Sequence, residues 1–240
     1  KERKILNDPD GRKSTSVRGI DKYTPANKAG GREAHKCTLI LTEGDSAKSL
    51  VVSGLKAEDR DYYGIFPLKG KPLNVRDARI DQIANNIEFE NVKKIIGLES
   101  NNTYDKEYKV WPLNYGRLQI FADQDLDGYH IKALVMNYFA TFHPGLLKKG
   151  FIISMLTPIV TVTKGKKIIS FYSEHEYDEW KVANKNGKGW STKYYKGLGT
   201  STAKEAKEYF SAPKIVHYDW TGEDSAEAID LAFRKERANN

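Results

Sequence analysis

The chain has 240 residues, of which 39% are hydrophobic and 30% are charged. This length suits one large domain, or one domain with an appendage, and the apolar share is enough for a packed core, so wholesale disorder is excluded. The formal net charge of +7 and the isoelectric point of about 9.2 favour polyanionic partners such as nucleic acid, although a solvated basic surface has the same composition.

Cys37 is the single cysteine, which excludes an internal disulfide and a structural zinc site of the multi-cysteine type. It also fits a reducing compartment. No apolar run is long enough to span a membrane, and the charged run at 1–4 leads into no apolar signal segment, so no membrane partner is expected. The polar opening and the charged end are typical of a piece of a longer protein.

The first part of the chain predicts a lead-in loop and then alternating strands and helices. Residues 1–35 are polar and are predicted to form loop or linker. A β-branched apolar run at 37–42 predicts a buried strand, and the spacing after it predicts a helix over 46–55 capped by Asp45 or Ser46. The next predicted elements are a strand at 62–68, helices around 77–86 and 89–98, and a loop over 99–114.

The second part continues the alternation and then becomes more mixed. A strand at 117–122 is predicted to lead into a helix over 128–142, with Pro144 and Gly145 beyond its end. The later predicted elements are two strands within 151–173 joined at 164–167, a helix near 174–184, a loop at 185–189, a helix near 202–210 and a charged tail. We therefore predict an α/β domain with a mainly parallel sheet over 36–155 and an α+β extension over 156–240.

Three aspartates, Asp123, Asp125 and Asp127, occupy alternate positions directly after a predicted strand. Two such charges about 4 Å apart repel by roughly 1 kcal/mol in water and by more in a shielded cleft, so a cation beside them is favoured. Oxygen ligands of this kind suit Mg²⁺, Mn²⁺ or Ca²⁺. Glu43 follows the first predicted strand and can meet the aspartates, because ligand sites in parallel α/β sheets lie beyond the carboxyl ends of strands.

These acidic residues also have a purely structural interpretation. An Asp-rich loop with glycine routinely forms a turn and caps a helix, and the helix dipole favours a glutamate at a helix start. Two other motifs are excluded. An EF-hand loop beginning at Asp123 needs glutamate at its twelfth position, where the chain has Leu134, and the run at 44–49 lacks the second glycine of a phosphate-binding P-loop.

Four runs in this order resemble the Toprim domain of type II DNA topoisomerases, and the likeness extends from about residue 18 to the end. These runs are similar to those of the eukaryotic single-chain enzymes, which viruses also carry, rather than to those of bacterial gyrases. The runs that carry the resemblance are Leu41–Lys48, Pro67–Arg76, Asp123–Gly128 and Tyr194–Thr202.

The resemblance implies a Rossmann-like Toprim fold and an enzyme that passes one DNA duplex through a transient double-strand break in another. It implies that Glu43, Asp123 and Asp125 bind catalytic Mg²⁺, with Asp127 assisting and with Mn²⁺ or Ca²⁺ able to substitute in binding. Glu43 is expected to handle the proton of the leaving oxygen as well. Double-stranded DNA is the implied partner. ATP and a homodimer belong to the full-length enzyme, which is expected in the nucleus, or in the cytoplasm or a virus for a viral source.

Basic residues in two of these runs predict contacts with DNA phosphates. Lys69, Lys71 and Arg76 offer charge, Gly70 permits close approach of the backbone, and Lys196 precedes a glycine-rich turn. Considered without the resemblance, a solvated turn explains them equally well. The chain has Lys69 where the family usually has Arg and Tyr129 where it has Ser, so bidentate phosphate recognition at Lys69 is lost. Tyr194 and Tyr195 are interpreted as packing residues.

In the family, the reactive tyrosine follows an arginine in a winged-helix domain, and none of the 14 tyrosines here follows an arginine. The resemblance therefore implies a part that is inactive alone and completes its active site with a tyrosine from a partner subunit. Two alternatives stay open at this point. One is a metal-independent basic DNA-binding module, and the other is a different Toprim phosphotransferase, such as a primase or a nuclease.

Overall fold

The computed structural model describes residue 17 and residues 19–106 and 113–237. Parts of three predicted segments lie outside the described residues: positions 1–16 and 18 of the lead-in, 107–112 of the loop at 99–114, and 238–240 of the extension. In the part of the chain that the structure describes, no helix is both long and apolar enough to cross a bilayer.

The described residues form eight strands and eight α-helices. The strands are β1 (Thr38–Glu43), β2 (Tyr63–Leu68), β3 (Arg117–Phe121), β4 (Ile152–Leu156), β5 (Val160–Lys164), β6 (Lys167–Phe171), β7 (Ser191–Tyr194) and β8 (Lys214–His217). The helices are α1 (Gly44–Gly54), α2 (Ile80–Ala84), α3 (Ile87–Ile96), α4 (Leu126–Phe142), α5 (Pro144–Lys148), α6 (Glu174–Ala183), α7 (Ala203–Ser211) and α8 (Glu223–Phe233).

The main sheet has the strand order β2–β1–β3–β4–β8 within the described residues. The first four strands are parallel, and β8 pairs antiparallel with β4. Leu39, Ile40 and Leu41 of β1 are at most 1% exposed because both faces of the sheet are covered. This burial explains the unbroken apolar run of β1, since strands covered on both faces do not alternate with polar residues. The predicted α/β class with a mainly parallel sheet is confirmed.

The register of the parallel strands brings their carboxyl ends to one edge. Thr42 of β1 is level with Phe121 of β3, and Glu43 is level with Leu68 of β2. Glu43 therefore ends β1 at the same edge at which the chain leaves β3 towards Asp123. This juxtaposition was expected from the order of strands and helices alone.

A second, three-stranded sheet is formed by the described part of the extension, in the antiparallel order β6–β5–β7. Its side chains alternate: Val160 and Val162 of β5 are buried, and Thr161 and Thr163 are half-buried. Val160, Val162, Phe171 and Tyr177 form a small separate core against α6. One face of this sheet thus packs and the other meets solvent, as is common for antiparallel sheets.

Several predicted elements differ from the structure. Helix α1 begins at Gly44 with Glu43 as its N-cap residue, so the caps predicted at Asp45 or Ser46 are wrong. Only a five-residue α2 forms within 77–86, and Pro144 begins the short α5, because proline is well accommodated in a first helical turn. The range 151–173 holds three strands rather than two.

Three elements were missed in the extension: β7, β8 and α8. Each strand has only four residues, and β7 reads Ser-Thr-Lys-Tyr, which gives no apolar signal. Helix α8 lies in the segment interpreted as a charged tail. Because β8 joins the main sheet and α7 packs against α1, the described part of the extension is packed onto the first predicted domain. The domain limits at 35/36 and 155/156 stay predictions.

Candidate metal centre at the sheet edge

Glu43 and Asp123 meet at the edge of the main sheet. The backbone N–H of Asp123 donates to Oε2 of Glu43 across 3.1 Å, which joins the ends of β1 and β3. Burial raises the pKa of the Glu43 carboxyl, and the charges of Asp123, Asp125 and Asp127 raise it further, while the N–H of Asp123 acts in the opposite sense. All three predicted aspartates therefore act electrostatically on Glu43.

Asp125 and Asp127 lie at the start of α4, where their side chains have structural partners. Asp125 is the N-cap residue, and its Oδ1 accepts the N–H of Gly128 at 2.8 Å. Oδ1 of Asp127 is 2.8 Å from the ammonium of Lys71, whose hydrogen bond lowers the pKa of Asp127. The helix-capping alternative thus describes Asp125 correctly. Glu43 stands at the N-cap position of α1, but its side chain makes no capping hydrogen bond there.

Gly128 allows this loop to close tightly. A Cβ atom at this position would lie 2.0 Å from the carbonyl oxygen of Asp123, which is far inside van der Waals contact. The glycine of the Asp-rich motif is therefore needed to pack the first turn of α4 against the end of β3.

A loop from the extension contacts the carboxylate of Asp123. The backbone N–H of Leu198 donates to Asp123 Oδ1 at 2.7 Å. Gly197 has φ +153°, and a Cβ there would lie 2.3 Å from Asp123 Oδ2. The loop over 195–198 and the edge residues Asp123 and Asp125 line a common pocket. The Lys-Gly-Leu-Gly run therefore belongs to the acidic edge, although 75 residues separate it from Asp123 along the chain.

Lys132 was not identified from the sequence as part of this site. Only 4% of Lys132 is exposed, and its ammonium lies 3.3 Å from Oε1 of Gln124. Burial lowers the pKa of Lys132, while the nearby charges of Asp125, Glu43 and Asp123 raise it. The available signal was a lysine within the apolar stretch of α4, because a buried lysine needs negative charge near it.

The donor chemistry of this edge fits a hard divalent cation, because its four acidic side chains offer carboxylate oxygens. Among the residues that the structure describes, however, no group of three or more acidic, histidine or cysteine side chains is gathered closely enough to hold a metal ion. Asp123 and Asp125 accept backbone N–H groups, and Asp127 is paired with Lys71. A metal would have to gather the other carboxylates around Asp123, and the role of all four as ligands stays a prediction.

Two of the predicted DNA-contacting residues lie at the acidic edge. Lys71 reaches Asp127, and the exposed Lys196 lines the pocket beside Asp123. Lys69 and Gly70 are exposed in the turn that follows β2. The backbone N–H of Lys69 donates to a carboxylate oxygen of Glu88 on α3, which ties that turn down.

Arg76 is placed differently. Its side chain is 19% exposed, and its Nη1 is 2.9 Å from Oδ1 of Asp230 on α8. Its Nε donates to the Asn137 side chain of α4 at 3.1 Å. These contacts use the guanidinium to hold α8 against α4, and a DNA contact by Arg76 stays a prediction.

The tyrosines flanking the site are held by protein contacts. The hydroxyls of Tyr194 and Tyr177 are 3.1 Å apart, and the hydroxyl of Tyr195 donates to Glu205 at 2.5 Å. Tyr129 is 52% exposed, and its ring lies 4.9 Å from the ammonium of Lys132. A structural role is therefore sufficient for Tyr195, because its hydroxyl is hydrogen-bonded to Glu205 of the same chain.

Known proteins match both the sequence and the geometry. Residues 155–240 match the family model described as the C-terminal associated domain of TOPRIM. DNA topoisomerase 2-beta of Homo sapiens is 50% identical to the chain over 230 residues, covering 95% of the chain and 14% of that protein. DNA topoisomerase 2 top-2 of Caenorhabditis elegans is 49% identical over 227 residues, covering 94% of the chain and 15% of that protein. The chain belongs to the type II DNA topoisomerase family.

A solved structure supports the same assignment within the type II topoisomerase family. The DNA-binding, cleavage and re-ligation domain of Plasmodium falciparum topoisomerase II superposes with a TM-score of 0.86 and 47% sequence identity, covering 93% of the chain and 30% of that structure. The resemblance found in the sequence is confirmed. The chain spans 14% to 15% of the length of the two curated topoisomerases named above, so it corresponds to one part of them.

Proposed function

We propose that the chain is the metal-binding Toprim part of an ATP-dependent type II DNA topoisomerase, which cleaves and rejoins both strands of double-stranded DNA to pass another duplex through. The observation that carries this proposal is the meeting of Glu43 and Asp123 at an edge that also presents Lys71 and Lys196. Lysines beside carboxylates suit a phosphodiester held next to a metal. Carboxylates alone would repel the phosphate, and lysines alone would attract it without holding a metal beside it.

The carboxylates proposed to hold Mg²⁺ are Glu43, Asp123 and Asp125, with Asp127 in the outer sphere; Mn²⁺ and Ca²⁺ would also bind. When bound, the metal would offset charge on the phosphate and on the leaving 3′ oxygen. Glu43 is also proposed to exchange a proton with that oxygen. Lys71 and Lys196 would position the DNA backbone, together with the exposed turn at Lys69 and Gly70.

The remainder of the reaction is proposed to need a longer protein. The curated relatives are much longer than this chain, and none of its tyrosines follows an arginine. We propose that the nucleophilic tyrosine comes from the partner subunit of a homodimer, that ATP is bound elsewhere in the longer enzyme, and that the enzyme acts in the nucleus. The present chain alone should relax no supercoiled DNA, with or without ATP. Reproducible Mg²⁺-dependent relaxation by the purified chain would contradict this expectation.

The central experiment measures DNA cleavage by the longer enzyme against Mg²⁺ concentration. Asp123→Ala and Glu43→Ala should abolish cleavage. Asp127→Ala should leave a reduced activity that added metal rescues, because an outer-sphere partner typically contributes about 10–100-fold. DNA binding should persist in all three variants, since removing a carboxylate does not weaken attraction to phosphates. Asp178→Ala, which removes an exposed carboxylate from α6, is the matched control and should cleave normally.

Two results would redirect this proposal. Normal cleavage by Asp123→Ala at limiting Mg²⁺ would reject the metal assignment and leave Asp123 with a turn-forming role. DNA binding by the chain without any Mg²⁺-dependent cleavage in the longer enzyme would favour a metal-independent DNA-binding module.

A further inference from the structure

Glu205, on the first turn of α7, has most of its acceptor capacity used by the protein itself. Its Oε1 accepts from the Tyr195 hydroxyl at 2.5 Å and from the Lys193 ammonium at 2.7 Å. Its Oε2 accepts from Lys193 at 2.8 Å and from the N–H and hydroxyl of Thr202 at 2.7 and 2.9 Å. This side chain is only 20% exposed. One carboxylate therefore collects five hydrogen bonds from both sides of a loop.

That loop is the one that contacts the acidic edge. Lys193 and Tyr195 hold its beginning on Glu205, and Thr202 holds its end. Between them, Leu198 donates its N–H to Asp123 Oδ1, and its side chain is 3% exposed in the core cluster under the main sheet. With both ends fixed, the loop has few ways to withdraw this N–H.

Glu205 is itself carried by a firmly seated helix. Ala206, the next residue, is fully buried, and a Cβ at Gly54 of α1 would lie 2.8 Å from its carbonyl oxygen. Helices α1 and α7 thus pack almost backbone to backbone. Helix α1 begins directly after Glu43. The helix that carries Glu205 and the helix that follows Glu43 are therefore packed together as one unit.

We propose that Glu205 is a positioning residue for the acidic edge: it fixes the loop over 195–198 so that the N–H of Leu198 holds the carboxylate of Asp123 in its working orientation. This inference rests on the proposed function, because it assigns Glu205 an effect on the metal requirement of DNA cleavage. Glu205 touches neither metal nor DNA in this role and acts through Leu198 and Asp123.

The ionisation of Glu205 is consistent with this role. Burial raises its pKa, but hydrogen bonds from Lys193, Tyr195 and Thr202 outweigh that effect and bring the pKa to about 2. The carboxylate is thus fully charged at neutral pH and holds the Lys193 ammonium as an ion pair.

The variant that isolates this role is Glu205→Gln. Glutamine still completes the capping box with Thr202, so α7 keeps its N-terminal cap, but it loses the charge that holds Lys193 and one acceptor for the loop. In the longer enzyme, the Mg²⁺ concentration for half-maximal cleavage should rise about tenfold, the lower end of the effect of outer-shell partners, with a maximal rate close to that of the unmutated enzyme. Tyr195→Phe, which removes one of the five hydrogen bonds, should shift it in the same direction and by less.

The matched control is Ser173→Ala, which removes the N-cap hydrogen bond of α6, a bond in which no residue of the loop over 195–198 takes part. It should leave the Mg²⁺ requirement unchanged. A Glu205→Gln enzyme with the unmutated Mg²⁺ requirement, or with the same behaviour as Ser173→Ala, would overturn the proposal.

A second measurement separates this inference from the proposed function. Hydrogen exchange of the Leu198 amide in the chain itself should become faster in Glu205→Gln and stay unchanged in Ser173→Ala. If the longer enzyme cleaves DNA without Mg²⁺, the proposed function fails, and amide exchange still decides whether Glu205 holds the loop on Asp123. Unchanged exchange in Glu205→Gln would reject the anchoring role whatever the cleavage assay shows.

Discussion

The main sheet and the small sheet of this chain use β-structure in opposite ways. Leu118 and Ile120 of β3 are at most 1% exposed, as are their neighbours on β1, because helices cover both faces. In the small sheet, Ile168 of β6 is 60% exposed and only one face packs. A sheet covered on both faces has little freedom, and its strand ends are therefore suitable for holding several carboxylates close together.

The two sheets also contribute different chemistry to the same edge. The main sheet supplies acidic side chains, Glu43 and Asp123, directly at strand ends. The small sheet supplies the loop after β7, which offers a backbone N–H through Leu198 and a lysine through Lys196. The rigid sheet thus holds the charged groups, while the more exposed sheet delivers partners that orient them.

Truncating equivalent core positions in the two sheets should separate them most clearly. Ile120→Ala in β3 should destabilise the chain by about 2–5 kcal/mol, because a fully buried isoleucine leaves a cavity. Ile169→Ala, at the centre of β6, should cost less because this side chain is only half-buried and water can fill the space. Chemical denaturation of both variants checks this. Equal losses would show that the small sheet is as tightly packed as the main one.

A glycine pair in the connecting loop tests how closely the two regions touch. Gly197→Ala should destabilise by about 1–3 kcal/mol, because alanine is strained in this backbone conformation, and its Cβ would also meet the Asp123 carboxylate. Gly199→Ala is the matched control, since a Cβ there meets nothing within 4 Å. Unfolding midpoints of the two variants provide the measurement. A Gly197→Ala variant as stable as Gly199→Ala would mean that the loop does not seat on Asp123.

The smallest expected effect concerns salt. Lys71→Ala and Lys196→Ala should each reduce the slope of log affinity for DNA against log salt by about 0.9, the value for one lost phosphate contact on duplex DNA. Lys166→Ala, at the exposed turn between β5 and β6, should leave the slope unchanged. The measurement is a DNA-binding titration of the chain at several salt concentrations. A loss of slope in Lys166→Ala alone would move the DNA surface to the small sheet.

The sequence predicted the part of the fold that local pattern controls. Strands β1, β2 and β3 are apolar runs whose burial follows from their composition, and the meeting of Glu43 with Asp123 follows from the common direction of parallel strands. The proximity of these two acidic residues is thus predictable from the sequence. Their role as metal ligands is a separate matter and stays a prediction.

Other contacts could not be predicted because they depend on tertiary packing. The ammonium of Lys132 is buried near the carboxylates only because α4 lies against the sheet. Arg76 turns towards Asp230, a residue 154 positions away on a helix that the sequence pattern did not reveal. The hydrogen bond from Leu198 to Asp123 likewise depends on how the extension folds back. Spacing along the chain contains no signal for such long-range pairs.

The return of the chain to the main sheet has a practical consequence for truncating the protein. Strand β8 pairs with β4 from Ile153 to Leu156 and so covers the outer edge of the parallel sheet. A chain ended near residue 155, where the sequence suggests a domain limit, would lack this cover. Bare edge strands recruit other chains through their free N–H and C=O groups. Such a truncated product should therefore self-associate and precipitate, and a soluble minimal unit has to extend through His217.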